Sequence, residues 1–495
     1  MSIRQGHEGT TDRSAGPGIG ASSAFGWSLL NTVVSRFGTL GIGIILARVL
    51  GPESFGTFAV ALVALMAVLS FNELGVSLAI VRWRGDPERI APTVTTVSVF
   101  CSLVFSAAAF LVAPTFASAM GDPEATDVVR LLIVNVLING IVATPAALLQ
   151  RNFQERTRMG IDQVNVWVGA VLSVVLALAG MGAMALAVGR AAGGLTSAIM
   201  FLKASPLPYR FGLERAHLGP LLRFGWPLAG SSIVVFAVGY ADQLAAGSIL
   251  GATALGLYVL AFNLASWPVS IVSQPLRRVA PAVFSKLQDQ PDQMHASVIS
   301  IVGVLAAAAV PTFLTLAGAA VPLVGFVYGE VWLPAAAALS WLVVSALCRI
   351  FYELVYDYLV VLGRTGIVFA IQAGSLIVLV PALVAGAFWG GIAGLAAAQA
   401  LVSAAVVLPL YLWQLRQTGI LLRSIASGLW LPIMAGLITG GGSFILATNL
   451  ESPLLALLLA GFLALVVSAV LLYRRREQVK LLRQIGLAEK TVERS

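Results

Sequence analysis

Apolar stretches long enough to cross a lipid bilayer recur fourteen times between residues 23 and 473, and nothing else in the chain constrains its fold as much. They lie at about 23–49, 55–81, 91–117, 128–150, 160–179, 182–203, 221–246, 254–278, 296–317, 334–361, 365–388, 391–414, 425–447 and 454–473. A spanning helix needs about 20 apolar residues. Only 11% of the residues are charged and 59% are hydrophobic, whereas a soluble domain is about 25% charged. The expected fold is an all-α integral membrane protein with about fourteen transmembrane helices.

Charge placement gives an independent check on that number. Starting from a cytosolic N-terminus, 25 of the 30 Lys and Arg residues fall in alternate connections and the two tails. The other connections, 50–54, 118–127, 180–181, 247–253, 318–333, 389–390 and 448–453, hold no Lys or Arg. This is the positive-inside pattern, and a wrong helix count would scramble it. The net charge of +8 is thus a topology signal, and no nucleic-acid partner is expected. Both termini are expected in the cytosol.

One phrase occurs twice. "VLGPESFGTF" runs from Val49 to Phe58 and "ILGATALGLY" from Ile249 to Tyr258, so Leu50, Gly51 and Gly56 recur 200 residues later. Six helices separate the copies, so both hairpins face the same side. That predicts a parallel repeat about an axis along the membrane normal. The expected organisation is a polar tail over 1–22, a six-helix lobe over 23–203, a cytosolic linker over 204–220, a second six-helix lobe over 221–414, two extra helices over 415–473 and a basic tail over 474–495. Cys101 and Cys348 sit in apolar runs without a pairing or zinc pattern, and no metal site is expected. The stretch 277–295 reads as an interfacial segment, with Val279, Val283, Phe284 and Leu287 among basic residues.

Three segments carry a family likeness. "SRFGTLGIGIILARVLGPESFGTFAVAL" from Ser35, "LLQRNFQERTRMGIDQVN" from Leu148, and the run from Leu221 to Asp289 resemble the polysaccharide-repeat flippases, the Wzx-type oligosaccharide translocases. Their superfamily includes multidrug exporters and lipid II flippases. The resemblance implies a V-shaped pair of lobes around a central cavity, working by alternating access in the bacterial cytoplasmic membrane. The implied cargo is an undecaprenyl-diphosphate-linked oligosaccharide for O-antigen, capsule or exopolysaccharide synthesis. A polysaccharide polymerase, its chain-length machinery and membrane lipids are the implied partners.

Charged groups inside a bilayer are costly and usually face a cavity or each other. Arg36 lies near the middle of the first helix and Arg190 in the sixth. A guanidinium offers paired donors and stays charged when desolvated, which suits a diphosphate. Pairing with a carboxylate or with helix-end carbonyls is the other reading. Arg48 can reach the outer interface, and Arg130 resembles it. Glu73 and Asp242 could carry a proton or Na⁺ and so couple transport to a gradient, or could pair with arginines. In "CRIFYELVYDYL", Arg349, Glu353 and Asp357 are four apart and share a stripe with Tyr352 alongside. The stripe reads either as a sugar-binding wall with ion-coupling carboxylates, or as an internal Arg349–Glu353 pair with Tyr356 and Tyr358 in the aromatic belt. Among helical amides, Asn31 is grouped with the arginines as a substrate contact, while Asn135, Asn139, Gln372 and Gln399 read mainly as links between helices.

No cofactor is expected beyond a gradient ion. An enzyme is not expected, because the longest outside loop has about sixteen residues and one carboxylate, Glu330, and no phosphate-binding Gly-rich loop is present. A multidrug-type antiporter and a lipid II flippase are the alternatives on the same fold.

Overall fold

The computed structural model describes residues 17–72, 76–83 and 85–478, with side chains from Gly41 onward except for parts of 71–78, 215–231 and 272–286. Fifteen α-helices occur among the described residues: α1 (Pro17–Asn72), α2 (Val76–Arg82), α3 (Pro87–Ala119), α4 (Ala125–Arg151), α5 (Glu155–Leu178), α6 (Ala183–Ala204), α7 (Arg215–Ala245), α8 (Ala252–Lys286), α9 (Pro291–Gly318), α10 (Ala320–Tyr328), α11 (Pro334–Val361), α12 (Thr365–Val402), α13 (Leu408–Gln417), α14 (Leu422–Asn449) and α15 (Pro453–Arg474).

Twelve helical stretches among these residues are long and apolar enough to cross a membrane. One of them holds two crossings, and the whole of α1 (56 residues) holds a second pair. The stretch Thr365–Gln417 has 53 residues, about 80 Å of helix at 1.5 Å per residue, against a hydrocarbon core of about 30 Å. It breaks at Gly390 and Gly391, and the limbs fold back on each other. A Cβ on Gly386 would meet the Gly394 carbonyl carbon at 2.9 Å, and a Cβ on Gly394 would strike the Gly386 carbonyl oxygen. In the same way α1 breaks at Gly51 (φ 70°, ψ 174°).

These breaks recur in register. Gly251 repeats the Gly51 conformation at φ 86°, ψ 175°. Gly182 (φ 56°, ψ −138°) and Gly391 (φ 57°, ψ −139°) are likewise twins. Both conformations lie in the positive-φ region that side chains avoid. A third pair is Phe153 (φ 55°) and Gly363 (φ 73°), in the α4–α5 and α11–α12 turns. The backbone therefore confirms two lobes related by a parallel repeat, with α14 and α15 packed beside α9 of the second lobe.

Several expectations need correction. Helix α1 already begins at Pro17, inside the segment expected as a tail, and α7 begins at Arg215, inside the expected linker. Residues 1–16 and 479–495 lie outside the described residues. The stretch 277–295 is no interfacial segment, since α8 runs unbroken to Lys286 and Val283 and Phe284 are buried in protein. Tyr358 is not in an aromatic belt either. It is fully buried, edge-on to Phe284 with ring centroids 5.5 Å apart. The expected loop 318–333 is helical, made of α10 and a short 3₁₀ turn.

Close helix crossings in this fold use glycine where backbones meet. Gly394→Val should force the two limbs of α12 apart at an overpacking cost of about 1–3 kcal/mol. A lowered melting temperature of the purified protein, with Gly461→Val unchanged because no atom lies within 4 Å of a Cβ there, is the expected result.

Candidate functional site

Each lobe encloses a polar chamber. In the first lobe it has a volume of about 470 Å³ and lies between α4, α5, α6 and the second limb of α1. Helices α5 and α6 can approach closely because a Cβ on Gly169 would already sit 3.1 Å from the Gly189 carbonyl oxygen. Asn135 and Asn139 of α4, Asp162 and Asn165 of α5, and Arg190 of α6 converge on the chamber. Arg190 is exposed to this space and has no salt bridge among the described residues. Tyr240 of α7, in the other lobe, lies within its electrostatic reach. The guanidinium therefore faces inward, towards the partner lobe, and is not locked onto a described carboxylate.

The second chamber, about 410 Å³, lies between α7, α8, α11 and both limbs of α12. Asp242, Arg349, Tyr352 and Glu353 all line it, so the structure gathers four residues that are scattered over 112 positions of sequence. The buried Asp242 carboxylate accepts the Tyr258 hydroxyl at 2.9 Å and the Gln243 backbone N–H at 2.8 Å. Arg349 lies within its electrostatic reach, with Nε 3.8 Å from Glu353 Oε1. Tyr352 stacks on Tyr411, centroids 5.6 Å apart and planes 13° from parallel. Gln372 lines the same wall as Tyr411. A π-helical turn over Ser403–Val407 brings Ser403 to the wall, 3.0 Å from the Ser345 hydroxyl.

The repeat relates the two chambers residue by residue. Aligned on the Phe153 and Gly363 turns, an offset of 210 matches Asn139 with Arg349, Asp162 with Gln372, and Asn165 with Ser375. Aligned on Gly182 and Gly391, an offset of 209 matches Arg190 with Gln399 and Gly194 with Ser403. All ten residues line their chambers. The fixed cation has changed places: it stands on the last helix of the first lobe and on the fourth helix of the second.

Other expected site residues fall elsewhere. Arg36 and Asn31 lie on the α1 backbone, their side chains outside those described, and Glu73 lies outside the described residues altogether. Asp357 is buried on α11 but does not line the chamber. Arg48 is exposed at the end of the first limb of α1. It caps the end of α10, donating from Nε to the Val327 carbonyl at 2.7 Å and also to the Phe326 carbonyl. Arg130 lies 3.6 Å from Asp127 and 4.7 Å from the Phe110 ring centroid. Between the lobes, a further cavity of about 310 Å³ is lined by Gly43 and Phe55 of α1, Asn263, Ser266 and Trp267 of α8, and Tyr328 of α10.

Asp162, Asn165, Tyr240 and Tyr411 were not singled out by the sequence. Asp162 follows the basic junction at Arg151–Arg158 and looks interfacial. Only the repeat offset, extended from the hairpin glycines to the whole lobe, points to it.

This architecture defines a class: a multi-pass helical membrane protein built of two repeat-related lobes. Similar solved structures agree on the fold. A structure titled lipid II flippase MurJ, inward closed conformation, covers 90% of this chain and 99% of its own at a TM-score of 0.72 and 11% identity. An inward-facing multidrug resistance MATE family transporter covers 77% and 94% at 0.62 and 16%. The family model described as polysaccharide biosynthesis protein matches residues 45–337, and the chain belongs to that family. Among its relatives are the lipopolysaccharide biosynthesis protein WzxC of Escherichia coli, 26% identical over 86% of this chain and 88% of that protein. The succinoglycan biosynthesis transport protein ExoT of Rhizobium meliloti is 25% identical over 65% and 64%.

Leaving a buried carboxylate short of a donor costs about 1–3 kcal/mol. Tyr258→Phe should therefore lower the unfolding midpoint of the purified protein. Asp242→Asn combined with Tyr258→Phe should cost less than the two single changes together, because the residues share one hydrogen bond. Additive midpoints would show that the pair is not coupled.

Proposed function

We propose that the protein is a flippase that moves undecaprenyl-diphosphate-linked oligosaccharide repeat units across the bacterial cytoplasmic membrane by alternating access. The observation that carries this reading is the pair of repeat-related chambers, each holding one intramembrane guanidinium. Family membership and the names of WzxC and ExoT, a lipopolysaccharide and a succinoglycan protein, support the class of cargo.

Arg190 with the amides of Asn135, Asn139 and Asn165 offers several donors converging on one chamber, a fit for the oxygens of a diphosphate. Arg36 is seven residues from the cavity-lining Gly43, which on a regular helix is the same face; it is the second diphosphate contact, and Asn31 of the same helix is a further candidate for the substrate. The Tyr352–Tyr411 stack and Arg349 form a wall for sugar hydroxyls and ring faces. Asp242 and Glu353, held near Arg349, are the coupling carboxylates in the second lobe, with Glu73 and Asp357 as the remaining candidates and a proton or Na⁺ as the ion. The arginine-rich end faces the cytosol, as the positive-inside rule requires, and both termini lie there. A polymerase with its chain-length machinery takes the cargo on the far side. A small-molecule antiporter on the same fold would carry mostly cationic cargo, which a fixed guanidinium in each lobe disfavours.

The test is export in a strain whose own flippase is deleted. A charge-assisted contact is worth about 1.5–3 kcal/mol, or a loss of about tenfold to a hundredfold. Arg190→Ala and Arg36→Ala should reduce polysaccharide export by that much, with Arg190→Lys retaining part of it. Asp242→Asn should abolish the response to collapse of the gradient. Normal export by both alanine variants at equal membrane abundance would remove the diphosphate site.

A further inference from the structure

The α4–α5 turn and the α11–α12 turn are one turn built twice. In the first lobe Asn152, Phe153 and Gln154 donate from their backbone N–H groups to the carbonyls of Leu148, Gln150 and Leu149, at 3.0, 3.1 and 2.9 Å. In the second, Leu362, Gly363 and Arg364 donate to Tyr358, Val360 and Leu359, at 3.1, 3.0 and 2.9 Å. Donors and acceptors alike match at the offset of 210. Helix ends of this kind take glycine at the positive-φ position, because a side chain there crowds the backbone. The second lobe obeys with Gly363 at φ 73°, whereas the first places Phe153 there at φ 55°. A bulky residue in this conformation is a rare outlier that costs stability. Burial within the chain does not offset that cost, since Phe153 is 91% exposed.

The surroundings of the two turns differ as well. At the same offset Arg151, Arg156 and Arg158 are matched by Val361, Gly366 and Val368. Beside the first turn lies an open cavity of about 490 Å³, lined by Val81 and Trp83 at the end of α2, Gln150 and Arg151 of α4, Phe153, and Glu155 of α5. Arg151 shapes it, donating from Nη1 to the Ile80 and Trp83 carbonyls, both at 2.6 Å, and from Nη2 to the Gly85 carbonyl at 3.2 Å. Glu155, the one carboxylate in the lining, is 3.9 Å from Arg158 Nη1, which also donates to Gln150 Oε1 at 3.0 Å. Arg156 is exposed and has no ion pair among the described residues. Three arginines and an exposed aromatic ring thus stand against one carboxylate that is already matched, at the arginine-rich end of the helices.

We propose that this cavity and Phe153 form a binding site for one anionic phospholipid of the adjoining leaflet. The phosphate lies by Arg156, in the positive field of Arg151 and Arg158, and the Phe153 ring packs against the lipid at the headgroup boundary. Guanidinium groups suit a phosphate, arginines beside a spanning helix attract anionic lipid, and aromatic rings favour the membrane–water interface. Contact with lipid supplies the stabilisation that the strained turn does not find within the chain. Asp162 of the first chamber stands seven residues along α5 from Glu155, about two turns, so a lipid held here fixes the depth of that end of the chamber. The site needs no cargo, and it stands or falls apart from the transport reading.

The test titrates the purified protein in neutral detergent with phosphatidylglycerol, an anionic lipid, or with phosphatidylcholine, whose headgroup has no net charge, and reads the thermal unfolding midpoint. Phosphatidylglycerol should raise the midpoint of the unaltered protein more than phosphatidylcholine does. Without lipid, Phe153→Gly should unfold at the same temperature or higher, because glycine removes the strain. With phosphatidylglycerol its half-saturation point should rise about tenfold, the worth of one buried aromatic ring. Arg156→Gln should raise it about fivefold, the worth of one arginine at an anionic surface. Trp389→Ala, at an aromatic residue 89% exposed on the opposite side of the membrane, should titrate like the unaltered protein. A Phe153→Gly variant that also titrates like the unaltered protein would overturn the proposal. So would one that unfolds well below it without lipid, since the ring would then serve the fold itself. A second measurement places bimane on Phe153→Cys, in a background carrying Cys101→Ser and Cys348→Ala, in liposomes. Phosphatidylglycerol with a headgroup nitroxide should quench it several-fold more than the matching phosphatidylcholine at equal mole fraction. Equal quenching by the two lipids would overturn the anionic site. Quenching only by aqueous iodide would overturn any lipid contact and leave a cytosolic protein as what covers Phe153.

Discussion

The hydrocarbon interior of a membrane offers no water to an unpaired N–H or C=O, so a chain can cross it only as closed hydrogen-bonded helices. Every reversal must then happen within a few residues at the bilayer edge. Gly51, Gly182, Gly251 and Gly391 make these reversals with positive φ, in two matched conformations. Because the same turn stands at the same place in each half, the halves fold alike and meet as pseudo-symmetric lobes. Phe153 is the exception. It holds at φ 55° what Gly363 holds at φ 73°, and it is 91% exposed.

Symmetry in the backbone does not extend to charge. The two chambers share helices and register, yet one presents a cation on α6 among amides and a single carboxylate, while the other holds its cation on α11 between Asp242 and Glu353. The proposed function gives the unlike linings of this duplicated scaffold two tasks. The first lobe suits an anionic group, and the second, with carboxylates around one arginine, suits exchange of a small cation or proton.

Much of this was legible in the sequence, for physical reasons. Hydrophobic length and the side preference of arginine act locally, so the crossings and the repeat could be read from composition and one ten-residue phrase. The stripe Arg349–Tyr352–Glu353 was visible because a helix fixes its own faces. What needed three dimensions was packing between distant helices. Tyr258 looked like hairpin sequence until it met Asp242, and nothing in the sequence paired Arg48 with the carbonyls at the end of α10. Gln372 and Gln399 looked like links between helices because an amide in an apolar run carries no mark of which helix it faces. The segment at 277–295 misled for the opposite reason: mixed apolar and basic residues read as amphipathic whether the partner surface is lipid or, as here, protein.

The most direct measurement is translocation by the purified protein in liposomes, using a polyprenyl-linked oligosaccharide with a fluorescent sugar and an impermeant quencher. Transfer to the opposite leaflet should depend on the protein, saturate with the diphosphate-linked form, and fall sharply when the same sugar is joined through a single phosphate. Transfer no faster than in protein-free liposomes, or equal for a neutral glycolipid of the same length, would contradict a carrier built around intramembrane arginines.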